Sequence, residues 1–377
     1  MIFGVPREIR THEYRVGAVP FLVKELVQKG HTVLVETGAG EPSGIDDEAY
    51  EQAGATILPS SEKLFNQAEI ILKVQGPQPV ELDLIRPEHM ILAFFNFSSN
   101  AELARNLVGK GCSCFAYEMF RTRDGAYPMM LINGQIGGYL AVQQGMFYLE
   151  KQNGGRGKLL ARIPGTVPTQ VVIIGAGSVG FHAAELAAQM GAQVYLLDQN
   201  FKRLQEIASR LPSNVTTVIS SEQNILELLP NTDLLITAAI QSVAESPKII
   251  TRKMVELLPK GAVIVDLAID RGGNVETSKA TTHSSPTFVK DDVIHYCVTN
   301  LPGIVPVTAS PALSSAILPY LERIAGMDSP AQIKDDPELR TGLAIFEGRV
   351  THPLLAETLE LPLLTWDDAA EEDGEST

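Results

Sequence analysis

The chain has 377 residues, 45% of them hydrophobic and 20% charged, with a formal net charge of -15 at pH 7. At roughly 100–200 residues per domain this is two or three domains, enough to bury a large core without disulfide staples. The acidic balance, with a pI near 5.0, lacks the basic footprint of a nucleic-acid binder. No run of about 18 apolar residues marks a membrane span, and the opening Met1-Ile-Phe-Gly-Val-Pro-Arg-Glu8 lacks the apolar stretch of a signal peptide. Neither nucleic acid nor membrane is an expected partner. The three cysteines, Cys112, Cys114 and Cys297, give no disulfide framework and fit a reducing, cytoplasmic compartment. No second Cys/His pair stands at zinc-ligand spacing, so no metal is expected and Cys112 and Cys114 read as core.

Short apolar, often β-branched runs predict strands at 3–5, 32–36, 70–74, 91–95 and 113–116. Helix-like stretches lie between them at 20–29 and 100–110, with Gly30 and Gly111 as stop signals. A helix over 138–152 is expected to carry the chain onward. The Gly- and Pro-rich segment 153–168 reads as a linker or surface excursion. A second alternating block follows, with strands at 171–175, 194–198, 215–219, 234–237, 263–266 and 294–298 and helices at 178–190 and 201–211. Alternation with near-continuous apolar strands predicts parallel sheets covered on both faces. A last helix over 312–324 is expected to return to the first domain. The tail, with Trp366 and the acids Asp367, Asp368, Glu371, Glu372 and Asp373, reads as a solvated end.

The strongest local signal is Val171-Val-Ile-Ile-Gly175-Ala-Gly177-Ser-Val-Gly180. A lone GxGxxG is weak, but here a strand precedes it and a helix follows. Asp198 ends the next strand, eighteen residues after Gly180. Gly175 permits the tight turn, Gly177 a close backbone approach to a pyrophosphate, and Gly180 close helix–strand packing. The amides near Ser178 and Val179 would face phosphates at the positive helix end. Asp198 would accept from the ribose hydroxyls and repel a 2′-phosphate. Gln199 and Asn200 follow it with no adjacent Arg, so NAD is preferred over NADP.

Several stretches then match in order. They are Pro6-Arg-Glu-Ile9, Glu13-Tyr-Arg15-Val, Val35-Glu-Thr-Gly-Ala-Gly40, Tyr148-Leu-Glu-Lys151, Gly154-Gly-Arg-Gly157, Asp266-Leu-Ala-Ile-Asp270, Gly272-Gly-Asn-Val-Glu-Thr277, Thr281-Thr-His283 and His295-Tyr-Cys-Val298. Over nearly its whole length the chain resembles the alanine dehydrogenase family and the soluble part of proton-translocating transhydrogenase. The last two stretches are nearer alanine dehydrogenase. The resemblance implies substrate-binding cations at Arg15 and Lys73 and an active-site carboxylate at Asp270. Asp270, Gly134 and Asn300 join the glycine turn in the cofactor set. A guanidinium can grip a 2-oxo acid's carboxylate with two parallel hydrogen bonds, and an ammonium can steady developing charge.

Three positions depart from the family pattern. Asn96 stands where its alanine dehydrogenases place a catalytic His. Gly134 stands where Ser is frequent near the cofactor, and Val307 where Arg is frequent. Asn cannot act as acid or base near neutral pH. His283 and His295 lack metal-ligand neighbours and read as structural. Glu118, after a strand end, reads as a supporting partner or a surface carboxylate.

The expected architecture is α/β: two doubly wound Rossmann-like domains with a cleft between them. The substrate domain would be discontinuous, 1–130 and 306–377, around an NAD-binding domain over 131–305. The expected function is NAD-dependent interconversion of an L-amino acid and its 2-oxo acid by hydride transfer. Lys73, Asn96 and Asp270 would be the catalytic set, acting on a small-molecule substrate in a homo-oligomer. The alternatives are a catalytically altered or non-catalytic NAD-binding sensor or partner protein, and a transhydrogenase nucleotide-binding subunit.

Overall fold

The computed structural model describes residues 1–97, 99–240, 246–327 and 329–365; Trp366 and the acidic tail lie outside them. The chain divides into two compact units, one of Met1–Ile132 with the chain from Gly303 onward, the other of Asn133–Pro302.

The first unit carries β1 (Ile2–Val5), β2 (Thr32–Glu36), β3 (Thr56–Leu58), β4 (Ile70–Gln75), β5 (Met90–Phe94) and β6 (Ser113–Ala116). Among them lie α1 (Pro20–Gln28), α2 (Asp47–Gln52), α3 (Ser61–Gln67) and α4 (Ala101–Lys110). Pro20 pre-sets φ at the first turn of α1. Asn100 caps α4, and Gly111, at φ 74°, ends it. α5 (Pro128–Leu149) leads out of this unit into the second.

The second unit alternates β7 (Gln170–Ile174), α6 (Ser178–Met190), β8 (Gln193–Asp198), α7 (Phe201–Ala208), β9 (Val215–Ile219) and α8 (Glu222–Leu228). It continues with β10 (Leu234–Thr237), α9 (Arg252–Val255), β11 (Val263–Asp266), β12 (Thr287–Lys290) and β13 (Val293–Tyr296). The chain then re-enters the first unit with α10 (Pro306–Ala325), α11 (Pro337–Gly342), β14 (Leu343–Phe346), β15 (Arg349–Val350) and α12 (Pro353–Leu359).

Both sheets share one wiring. The first runs β3-β2-β1-β4-β5-β6 in parallel, with β14 and β15 added antiparallel at the β6 edge. The second runs β9-β8-β7-β10-β11-β13 in parallel, with β12 antiparallel on β13. This is the doubly wound order in which strand progression reverses beside the first strand, the place where such sheets bind ligands. The period-2 alternation of the first sheet feeds two cores. Phe3, Val33, Val35, Leu72 and Leu92 pack on one face with α1 and α10. Leu34, Ile71, Ile91, Ala93 and Cys114 pack on the other with α3, α4 and α12.

The structure extends several sequence expectations. α5 starts at Pro128, ten residues before Gly138, because glycines at 134 and 138 serve contact. A Cβ on Gly138 would fall 2.4 Å from the Val179 carbonyl oxygen of α6. α10 begins at Pro306 and runs through Pro311 and Pro319. β3, β12 and β15 are short edge strands with little pattern to read, and β14, four buried apolar residues between β15 and β6, is short as well. Segment 154–168 lies within the second unit. Arg156 N donates to Gly261 O at 3.1 Å, and Arg156 and Lys158 pair with Asp233 at 2.7 and 3.6 Å. Cys112 and Cys114 are free and buried, their sulfurs 3.8 Å apart.

Two buried serines on α10 hold the loop after β1. Val16 N donates to Ser310 Oγ at 3.1 Å and Val19 N to Ser314 Oγ at 3.2 Å. Removing either hydroxyl strands a buried amide. Ser310→Ala and Ser314→Ala should each cost about 1–3 kcal/mol, seen as a lower urea midpoint with an unchanged slope.

Candidate active site and dinucleotide turn

In the second unit the glycine turn is built from β7 to α6. Gly175 sits at φ 102° and its N donates to Leu197 O at 2.7 Å. A Cβ on Gly180 would lie 1.8 Å from the Gly175 oxygen, so position 180 tolerates no side chain. Gly177 caps α6, and a Cβ there would meet nothing within 4 Å. That open space before the first free amides of α6 fits a pyrophosphate. Gly134 on α5 backs this helix start: a Cβ there would fall 2.9 Å from the Ser178 Cβ and 3.4 Å from a Val179 methyl.

Asp198, at the end of β8, is locked to the turn. Its Oδ2 accepts from Ala176 N at 2.7 Å and its Oδ1 from Asn200 N at 2.8 Å. A carboxylate offers about four acceptor directions, so hydroxyl contacts remain open to it. The sequence showed no Arg next to Asp198, but the fold supplies one. Asn200 caps α7, and on that first turn Arg203 swings back so that its Nε donates to Ala176 O at 2.9 Å. Its signal was the N-cap register, which puts the third helical residue beside the turn.

Asp270 lies in the 3-10 turn Ile269–Arg271 after β11 and is exposed. Asn300 follows β13 at φ 55°, in the left-handed region that Asn tolerates. Gly175, Asp198, Asp270 and Asn300 thus all stand at or just beyond the carboxyl ends of parallel strands of one sheet. His295, fully buried in β13, is structural. Its Nε2 lies 2.7 Å from Thr277 Oγ1 and its Nδ1 3.0 Å from Val293 O, and burial pushes its pKa down.

The first unit gathers a buried charged cluster where β1 and β4 meet the edge. Arg15 forms a bidentate pair with Glu13, Nε–Oε1 2.8 Å and Nη2–Oε2 2.6 Å. Gln75 links this pair outward, donating to Glu13 at 3.1 Å and accepting from Arg10 Nη1 at 2.7 Å. Lys73 is 0% exposed, with Nζ 2.9 Å from Glu81 and 3.3 Å from Glu8. Both cations expected at the substrate are therefore already matched by buried carboxylates. Burial works against the Lys73 ammonium, yet Glu8 and Glu81 outweigh it and hold its pKa above the ordinary lysine value. Burial raises the Glu8 carboxyl above the usual range in spite of Lys73. The fully buried Tyr117 hydroxyl has no hydrogen-bond partner among the described residues, and burial with the nearby Glu8 charge pushes its pKa up.

Asn96 follows β5, exposed, at φ 50°. Glu118 supports it from behind, Oε1 accepting from Asn96 N at 2.7 Å and Oε2 from Phe95 N at 3.3 Å. The backbone is thus fixed while the amide side chain faces outward. Val307 is 69% exposed at the start of α10. Sequence reasoning missed Arg10, Gln75, Glu81 and Tyr117, because no motif separates a buried charge partner from a surface residue. Among the described residues no group of three His, Cys, Asp or Glu forms a metal site, and no helix is long and apolar enough to cross a membrane.

Comparison with known proteins bears on both units. The model for the alanine dehydrogenase/PNT N-terminal domain matches residues 4–136, and that for the C-terminal domain residues 141–353. Alanine dehydrogenase of Halomonas elongata is 39% identical over 361 residues, 96% of this chain and 97% of that protein. That of Bacillus subtilis is 40% identical over 360 residues, 95% of each. A solved L-alanine dehydrogenase superposes with a TM-score of 0.91 at 38% identity, covering 96% of this chain and 99% of its own. A transhydrogenase from Sinorhizobium meliloti shares the fold, with a TM-score of 0.81 at 24% identity over 93% of this chain and 100% of its own.

Two expectations follow from this geometry. Asp198→Ala should weaken NAD binding and admit NADP, with Arg203 left to meet the 2′-phosphate; titration of both nucleotides checks it, and equal wild-type affinity for the two would refute the role of Asp198. For Glu8, a folded pKa above the unfolded value gives stability that is present at low pH. That stability is lost as pH rises from about 4.3 through the raised value. Glu8→Gln should flatten that fall in urea midpoints measured across the same range. The family models span both units and the relatives match end to end, so the chain belongs to the alanine dehydrogenase/PNT family, whose C-terminal domain is the NAD-binding one.

Proposed function

We propose that the protein is an NAD-dependent amino-acid dehydrogenase that interconverts an L-amino acid with its 2-oxo acid and ammonia, alanine and pyruvate being the leading pair. The observation that carries this is the intact glycine turn with Asp198 locked to it, in a chain matched end to end by alanine dehydrogenases. The first unit is the substrate unit and the second the cofactor unit. When bound, NAD would supply the hydride acceptor and, in its reduced form, the hydride for the reverse direction.

The chain's own residues do the rest. Arg15 has its Nε and Nη2 committed to Glu13, so it meets the substrate carboxylate through its remaining Nη hydrogens; a two-bond grip through Nε and Nη2 would need the Glu13 pair to open. Lys73 sits between Glu8 and Glu81, so it acts by balancing their charge behind the site; direct contact with substrate would need one of those pairs to open. Asn96 donates or accepts one hydrogen bond at the reacting oxygen or nitrogen and neither gives up nor takes a proton near neutral pH. Asp270 takes up on its carboxylate the proton that the substrate amine or the attacking water gives up, and returns it in the reverse direction. Gly134, Ser178, Val179 and Asn300 complete the cofactor set. The three free thiols support a reducing, cytoplasmic setting. The apolar α5, with Leu131 and Phe147 exposed on it, supports a homo-oligomer, which sedimentation would show.

A panel of 2-oxo acids with ammonia, read by NADH absorbance, tests the reading; NADH binding without turnover on any of them would sink it. General acid–base catalysis is typically worth about a hundredfold to ten-thousandfold. Asn96→His should therefore raise pyruvate amination by roughly a hundredfold. Brisk wild-type turnover that this change slows would show that the site runs on Asp270 alone.

A further inference from the structure

Asn274 lies in the second unit with no exposed surface, and every polar atom it owns is committed. Its Oδ1 accepts from Ala239 N at 3.0 Å. Its Nδ2 donates to Ala239 O at 2.8 Å and to Pro247 O at 3.0 Å. Its backbone N donates to the buried Asp266 carboxylate at 3.0 Å, and its backbone O accepts from Ile249 N at 2.8 Å and Ile250 N at 3.1 Å. One side chain therefore ties together the segment after β10, the segment entering α9 and the loop after β11.

Each tied segment touches part of the expected site. The Ala238–Ala239 backbone abuts the glycine turn: a Cβ on Gly175 would fall 2.6 Å from Ala238 O and 2.8 Å from Ala239 N. The loop after β11 carries Asp270. Its ends are fixed by Asp266, which accepts from Ala268 N at 3.1 Å and from Asn274 N. Ser246 N donates to Arg271 O at 2.8 Å, and Lys248 Nζ reaches Gly272 O. The contacts run from Gly175 through Ala239 and Asn274 to Asp266 and the Asp270 loop without a break.

We propose that Asn274 is a positioning residue for the dehydrogenase reaction: it sets the Asp270 loop at a fixed distance from the dinucleotide turn, and so governs both cofactor affinity and turnover. The inference rests on the proposed function only in taking Asp270 as the working carboxylate.

Asn274→Asp keeps the shape but removes the two donated hydrogens. It leaves a carboxylate facing the carbonyls of Ala239 and Pro247. NADH affinity, followed by nicotinamide fluorescence, should fall at least about tenfold near pH 8. It should recover as pH drops to about 6, where a protonated carboxyl again donates to one of those oxygens. Asn274→Ala should lose affinity without pH recovery. Turnover of pyruvate with ammonia should fall in Asn274→Asp, and in an Asp270→Asn background the same change should lower turnover little further, because both act through one group.

Two results would overturn the inference: NADH affinity within about twofold of wild type in both folded variants, or a loss that is equal at every pH and follows the fall in melting temperature. An Asp270→Asn variant with full turnover would remove the role given to Asp270 under the proposed function, while the NADH titrations would still decide the place of Asn274.

Discussion

The Gly175 carbonyl oxygen occupies the place where a side chain on residue 180 would begin. That single close approach decides how α6 leaves β7. With the helix seated this deep, its first amides open onto the space beside Gly177, and the loop between them is short enough for Asp198 to reach Ala176 N. Gly134 then fits against Ser178 from behind. The dinucleotide turn is thus largely a consequence of packing: Gly175 is required by its positive φ and the nearby Ala238 backbone and Gly180 by the Gly175 oxygen, while Gly177 leaves open the space that fits the phosphates.

The first unit is organised by charge. Lys73, Glu8, Glu81, Glu13 and Arg15 are withdrawn from water together, and each ion is tolerable only because another lies within hydrogen-bond reach. Taking one partner away would leave a buried charge, costing far more than the intact pairs return. Such a network fixes the geometry of the loop after β1, which α10 clasps through Ser310 and Ser314. Stiffness at that loop matters because the expected carboxylate grip, Arg15, stands on it.

Much of this was legible in the sequence. Buried parallel strands are short unbroken apolar runs, so the strands from β1 to β11 outside β3 could be read nearly to the residue. The glycine turn is legible because its requirements are local. Edge strands such as β3 and β12 bury little on either face and leave no such pattern. Side-chain partnership is the other blind spot. Lys73 reads as a cation near a strand end whichever way its ammonium points, and only the fold shows Glu8 and Glu81 around it. Arg203 is close to Asp198 through helix register, which distance along the chain conceals. Glycine content hid the start of α5, since four glycines in a helix look like weakness until their neighbours are seen.

The left-handed backbone at residue 96 limits which amino acids can stand there. With φ at 50°, held by Glu118 on the amides of residues 95 and 96, β-branched and bulky aliphatic side chains are strained, while Asn, Asp, His and Gly are accepted. Asn and His codons differ by one base, so a titrating ring and a non-titrating amide are neighbours in mutational space at a site whose main chain suits both. The protein can exchange proton chemistry for hydrogen bonding there in one step, without first rebuilding the turn that presents it.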